Sequence, residues 1–456
     1  MGFFLSILYF LIYYLTPEVM FGSQVAQFRV QLILAIILIV VSLPALLRSN
    51  VLKTAQTPAL IGLAFATFMS VLIGEHWAGG GLTALLLFIP NAFGYFLVFI
   101  HCRSKRKLRI LVLLMLFVCF FVIGVGAYEQ HQGLPQGKAA ENIDMSDTYF
   151  IGMDNAKGEW FYRLRGKGQI DDPNDFAQII VCTLPLTFLF WKRKRAFRNF
   201  LFVLVPVGVL IWGLYMTHSR GGILGVLAMI ILAARRKIGT VPALVLAGAL
   251  FVVASTTNFT GGRDISTSAG EDRTELWGDG LQLLKSHPVF GVGFGDMPDY
   301  FGHTAHNTIV VCAAELGFCG LFFWSLFLLP SLRDATGVAY RKNEIQRETV
   351  VSSDTSYPLV AASLNVPDEA EITKFARLLV LAFTGFLVTA WFLSRAYILT
   401  LFLLAGFTEA IYELARQRGM ISERLPFGRT LKYSGMMAVG LILMMYILLR
   451  VVNLTH

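Results

Sequence analysis

Charge is what this 456-residue chain has least of. Only 15% of its residues are Asp, Glu, Lys or Arg, where soluble domains carry about 25%. Hydrophobic residues make up 56%. This balance excludes a soluble enzyme, a disordered chain and a collagen-like fibre, and leaves a polytopic membrane protein. The five cysteines (Cys102, Cys119, Cys182, Cys312 and Cys319) lie in or beside apolar runs without a CxxC, so there is no disulfide framework. Walker A, HExxH, GxSxG and zinc-type Cys/His spacings are all missing. The N-terminus has neither the basic start nor the cleavage site of a signal peptide, and reads as an uncleaved first span.

What the chain does have is long apolar runs, rich in its 38 phenylalanines. A helix needs about 20 apolar residues to cross a bilayer core. Candidate spans are 3–20, 28–47, 58–74, 81–100, 108–127, 174–191, 199–217, 219–234, 240–257, 306–329, 375–394, 397–413 and 431–450. The expected fold is therefore all-α, with about 12–13 transmembrane helices forming one domain over 1–456. No alternating ten-residue segments suggest a β-barrel.

The net charge of +9 is mainly topological. Nineteen of the 38 Lys and Arg fall in short connections after even-numbered spans. Those of opposite parity hold only Arg29, Arg220 and Arg395. The positive-inside rule then puts the N-terminus in the cytoplasm. Long connections at about 128–173 and 258–305 fall outside, and a polar one at about 330–374 falls inside. With so little soluble mass, a basic nucleic-acid-binding face is not expected. No inner segment is large enough for a nucleotide-sugar domain. Any transferred group must arrive outside with its own leaving group, and a lipid-linked diphosphate fits the outward arginines.

Four outward features could carry chemistry. His306-Asn307 precedes span ten, with Gly317 and Gly320 further along. An interfacial imidazole can accept a proton near neutral pH, or it can simply cap a glycine-packed helix. Arg220, within Ser219-Arg220-Gly221-Gly222, either faces a polar partner or snorkels at a helix end. Glu271–Lys285 has apolar residues at helical spacing, which suggests an amphipathic helix on the outer leaflet. Its Arg273 shares a face with Trp277 and meets either a headgroup or another anion. The Gly291-Val292-Gly293-Phe294-Gly295 stretch after His287-Pro288 reads as a flexible return. Finally, Arg163, Arg165 and Lys167 could hold phosphate. The following Asp171-Asp172-Pro173-Asn174-Asp175 fits a helix start, capped by Asp172, better than a metal site.

Taken together, these segments resemble the O-antigen ligase/polymerase superfamily. The likeness rests on Thr217-His218-Ser219-Arg220-Gly221-Gly222, the Arg273…Trp277…His287-Pro288…Gly291-Val292-Gly293 stretch, and His306-Asn307…Gly317…Gly320. It covers roughly 160–330. The resemblance implies a GT-C-like membrane glycosyltransferase of a bacterial inner membrane, with its site on the periplasmic side. The implied donor is an undecaprenyl-diphosphate glycan, and the implied acceptor is lipid A–core (a ligase) or another lipid-linked glycan (a polymerase). His306 matches the family's essential histidine, and Arg220 and Arg273 its essential arginines.

In the reading this supports, Arg220 and Arg273, aided by Arg165, clamp the diphosphate. His306 acts as base, and Asn307 holds His306 or the sugar. The expected reaction is inverting and uses no cofactor or metal. Besides the two glycans, only membrane lipids are expected as partners, and no nucleic acid. A transporter is the competing class. It calls for charged residues along several spans, and the main ones here are Glu315 and Glu409.

Overall fold

A computed structural model of the protein describes residues 1–16, 30–49, 51–132, 151–154, 159–166, 170, 172–256, 268–340, 366–421 and 424–455. Most of the 330–374 connection, together with Arg29, Lys167 and Asp171, lies outside the described residues.

Every expected span is occupied by a helix. In chain order these are α1 (Gly2–Leu15), α2 (Val30–Leu47), α3 (Gln56–Gly74), α4 (Ala78–His101) and α5 (Lys105–Gln132). Then come α6 (Pro173–Thr187), α7 (Ala196–Thr217, opening through a π turn), α8 (Arg220–Ile238) and α9 (Thr240–Thr256). The more polar helix α10 (Ser268–Ser286) and the short α11 (Met297–Phe301) precede α12 (Thr308–Ala339), α13 (Val366–Ala390), α14 (Leu399–Gln417) and α15 (Phe427–Thr455). Among the described residues, nine helices are long and apolar enough to cross a membrane. α1 and α9 are apolar but shorter. α8 ends on Arg235, Arg236 and Lys237, and α14 carries Glu409. The protein is an all-α polytopic membrane protein, with one addition. Ile151–Asp154 (β1) and Glu159–Tyr162 (β2) form an antiparallel hairpin, the only strands among the described residues.

Helix α12 is the axis of the bundle, packing against α3, α13, α14, α15 and α10. It is broken at Gly317, whose φ of 64° and ψ of −164° are not helical. The break leaves backbone groups unpaired at membrane depth, where each must find a protein partner. The Pro288–Gly293 segment supplies them. Val292 and Gly293 donate to the carbonyls of Ala314 and Glu315 at 3.0 and 3.2 Å. Phe318 and Cys319 donate to the carbonyls of Pro288 and Val289 at 2.9 and 3.0 Å. A Cβ on Gly317 would stand 2.5 Å from the Val289 carbonyl carbon and oxygen. The glycine therefore serves a loop insertion rather than close helix packing. The expected flexible return at 291–293 is a pinned backbone plug.

Helix α10 also departs from expectation. Its Trp277 is 7% exposed and donates from Nε1 to the Ala305 carbonyl at 2.9 Å. The ring meets Trp391 edge-on, with centroids 5.7 Å apart. The apolar face of α10 thus packs on protein, because its indole finds a backbone acceptor there.

The end of the bundle opposite His306 is tied by charge. Lys105 bridges Glu371 at 2.7 Å and also pairs with Asp368. Arg109 pairs with Glu371, and Arg418 with Asp368. Buried Glu409 pairs with Arg424 from the connection after α14.

Candidate active site

The other end gathers the residues singled out from the sequence. Thr217-His218-Ser219 forms the turn between α7 and α8. His218 adopts a left-handed conformation (φ 49°), and the Ser219 hydroxyl accepts from the Gly222 N–H at 3.3 Å. Ser219 thus caps α8 and places Arg220 in its first turn, where the helix dipole adds to the positive charge. Gly221 lies against Phe392, and Arg273 of α10 stands 5.8 Å from the same ring. Arg273 thus stands beside an aromatic side chain that also packs on the start of α8, and the charge of Arg220 acts on Arg273.

A third arginine joins them. Arg163 follows β2, is 5% exposed, and donates from Nε to the Thr217 carbonyl at 3.1 Å and from Nη2 to Asn174 Oδ1 at 3.3 Å. The Leu164 N–H donates to the Met216 carbonyl at 2.9 Å, docking this segment along the end of α7. Burial lowers the Arg163 pKa to about 10, with Asp172 opposing the shift and Arg220 adding to it. Burial, and then the charge of Arg220, likewise lowers that of Arg273. Both remain cations at neutral pH. Arg165, also singled out from sequence, lies near enough to the Tyr162 hydroxyl to oppose its upward shift, and that hydroxyl donates to Glu129 at 2.8 Å. Asp172 caps α6, its Oδ1 accepting from Asn174 and Asp175 at 2.7 and 3.3 Å, as the Asp-Pro-Asn pattern predicts.

His306 sits just before α12 in a left-handed conformation (φ 47°). Its ring is exposed on one side. Desolvation on the other, then the Arg273 charge, lowers its pKa; Asp172 opposes this and His303 adds to it. A neutral imidazole, the form a general base needs, is thereby favoured. Asn307 is fully buried, and its Oδ1 accepts from Ile309 and Val310 at 2.9 and 3.2 Å, capping α12. Its contribution is to fix the chain beside His306.

The connection between α13 and α14, residues 391–398, straps this assembly. The His306 N–H donates to Ser394 Oγ at 2.9 Å, and Ser394 donates to Thr304 at 2.7 Å. Thr308 donates to the Leu393 carbonyl at 2.7 Å. Arg395 bridges buried Asp175 at 2.6 Å, which locks the strap to α6. The charge count marks Arg395 as one of few cations in the short outer connections, but nothing in the sequence marks Ser394, and only the fold brings this strap to His306.

An apolar groove of about 700 Å³ runs between α8, α9 and α13, from Phe251 and Leu244 to Trp391 and Phe392. It ends on Phe392, the aromatic beside Arg273. Among the described residues, one carboxylate group could hold a cation. Glu75, Asp296 and Asp299 bring oxygens within 4.8 Å of one another. Burial and neighbouring Glu75 raise the Asp296 carboxyl to about 7. None of these three is among the groups that shift the arginines or His306.

No curated protein matches the sequence. Residues 205–325 match the family model described as O-antigen ligase. That segment runs from α7 through Arg220, Arg273 and His306 to the broken helix α12, so over these residues the chain is similar to the O-antigen ligase family.

Proposed function

We propose that the protein transfers a glycan from an undecaprenyl-diphosphate donor to an acceptor hydroxyl, at the periplasmic face of a bacterial inner membrane. The observation that carries this reading is a juxtaposition. Arg220 acts electrostatically on both Arg163 and Arg273, Arg273 stands at the end of an apolar membrane groove, and His306 lies within the field of Arg273. The polyprenyl tail lies in the groove and the diphosphate on the arginines. Bidentate guanidinium contacts and the α8 terminus stabilise the charge that grows on the leaving group.

The acceptor oxygen attacks the anomeric carbon opposite the diphosphate. The C1–O bond to the diphosphate breaks, and its electron pair leaves on the diphosphate oxygen. The hydroxyl proton passes to the His306 imidazole, and the anomeric centre inverts. With three cations on the leaving group, the step calls for no metal. Transfer to lipid A–core makes the enzyme a ligase, and transfer to a second lipid-linked repeat a polymerase.

Both buried carboxylates expected along a transport path are engaged in the fold. Glu409 pairs with Arg424, and Glu315 accepts from the Gly295 and Met297 backbone. This favours an enzyme over a transporter. The test is purified protein in detergent with a lipid-diphosphate glycan and an acceptor. Release of lipid diphosphate in step with an inverted glycoside supports the reading. An unconsumed donor contradicts it.

A further inference from the structure

A second cavity, of about 800 Å³, lies on the other side of the 391–398 strap, bounded by α1, α2, α4 and the first turns of α12. The reaction described above leaves it unused. Its polar lining includes Arg395, Glu315, Ser394, Thr304, Tyr13, Asn91 and Gln31. Tyr13 donates to Asn91 Oδ1 at 2.5 Å. Arg395 gives one Nη to Asp175, yet its side chain stays 45% exposed. The apolar lining includes Leu32, Leu86 and Leu87, which are 44%, 66% and 59% exposed on the flanks of membrane-spanning helices. The cavity rim therefore meets lipid between α2 and α4, and the site is amphiphilic in shape and chemistry.

The two cavities differ in what they can take. The groove beside α8 has unalloyed apolar walls and leads to Arg273, on which Arg220 acts, as a polyprenyl diphosphate requires. The second cavity has a single arginine, already paired with a carboxylate, and the acid Glu315, among hydroxyls and the amides of Asn91 and Gln31. Such a set suits the neutral hydroxyls of a sugar better than a diphosphate. Its wall is also chemically joined to the base, because Ser394, which lines it, accepts the backbone N–H of His306.

From this we infer that the second cavity seats the acceptor, a lipid-anchored glycan. Its sugar lies on Asn91, Tyr13 and Arg395, its lipid passes out past Leu32, Leu86 and Leu87, and its hydroxyl reaches His306 across the strap. This rests on the transferase reading, but its test does not need turnover.

The full-length protein, in nanodiscs, carries p-benzoylphenylalanine in place of Leu87 or, separately, of Ala228 in the α8 groove. Each form is irradiated with a radiolabelled lipid A–core glycolipid or a radiolabelled polyprenyl-diphosphate glycan. The glycolipid is expected to label position 87 and the diphosphate position 228. Asn91→Ala is expected to reduce glycolipid labelling at 87 roughly fivefold, the scale of one lost hydrogen bond, while labelling at 228 persists. Free core oligosaccharide is expected to compete far less well than the anchored form. Glycolipid labelling at 228 with none at 87, or labelling at 87 indifferent to Asn91→Ala, overturns the inference. Loss of diphosphate labelling at 228 instead counts against the donor site.

Discussion

His306 and Ser394 are 88 positions apart, yet the backbone N–H of His306 donates to the Ser394 hydroxyl at 2.9 Å. That bond holds a non-glycine residue in the left-handed region, a conformation that costs about 1–3 kcal/mol and persists only where its surroundings enforce it. The strap is therefore a positioning device for the imidazole. Ser394→Ala is expected to reduce kcat about fivefold, as loss of one hydrogen bond of about 1 kcal/mol implies, with the donor Kd unchanged. Ser394→Thr, which keeps the acceptor oxygen, is expected to restore most of the rate. Equal losses in both variants indicate a merely structural serine.

The arginine cluster makes a comparison that sequence alone does not. Arg163→Ala is expected to weaken donor binding and lower transfer about 10²-fold or more, the scale of a lost charge-stabilising donor. Arg165→Ala is expected to cost less, because Arg163 is the more deeply buried of the two and is the one on which the charge of Arg220 is seen to act. Arg220→Lys keeps charge but loses the guanidinium fork, and should also be impaired. Steady-state kinetics on matched purified variants decide it. Full activity in Arg220→Lys assigns Arg220 to snorkelling.

The pH profile follows from the direction of the His306 shift. Because its pKa is lowered, the neutral base persists as pH falls below the ordinary histidine value of about 6.5. The rate is then lost only as pH drops through that lower pKa. Asp172 partly opposes the lowering, so Asp172→Asn, which still caps α6, is expected to move the acid limb of the kcat/KM profile further down. A limb that moves up, or stays fixed, removes His306 from the base role.

The broken axis helix gives a stability prediction. Gly317 needs a positive φ and leaves no room for a Cβ beside the Val289 backbone. Gly317→Ala is expected to destabilise by at least about 1–3 kcal/mol and to lower the melting temperature in detergent. Gly124→Ala, with open space around the added methyl, is the control and should leave it unchanged. If both variants melt like the parent, the 288–293 plug does not hold α12.

Much of this was legible in the sequence, for identifiable reasons. Bilayer thickness sets span length, so hydropathy located the helices. Charge is scarce enough outside that Arg220, Arg273 and His306 stood out. What was not legible depends on tertiary partners. Arg163 and Arg165 lie two apart in an extended segment, and only docking on Met216 and Thr217 decides which one is buried. Gly317 looks like helix packing until Pro288–Gly293 is seen to fill its break. Arg395 looked like a lone loop charge, because its partner Asp175 is 220 positions away. Trp277 suggested a lipid face for α10, and the Ala305 carbonyl redirected it onto protein.

The central claim is that His306 takes the acceptor proton while the arginines hold the leaving diphosphate. The most direct measurement is single-turnover transfer from a preloaded lipid-diphosphate glycan by purified His306→Ala, beside the parent at equal loading. The account predicts donor binding like the parent's and a transfer rate lower by about 10²–10⁴-fold, the usual contribution of a positioned base. Undiminished transfer by a folded, donor-loaded His306→Ala would contradict it.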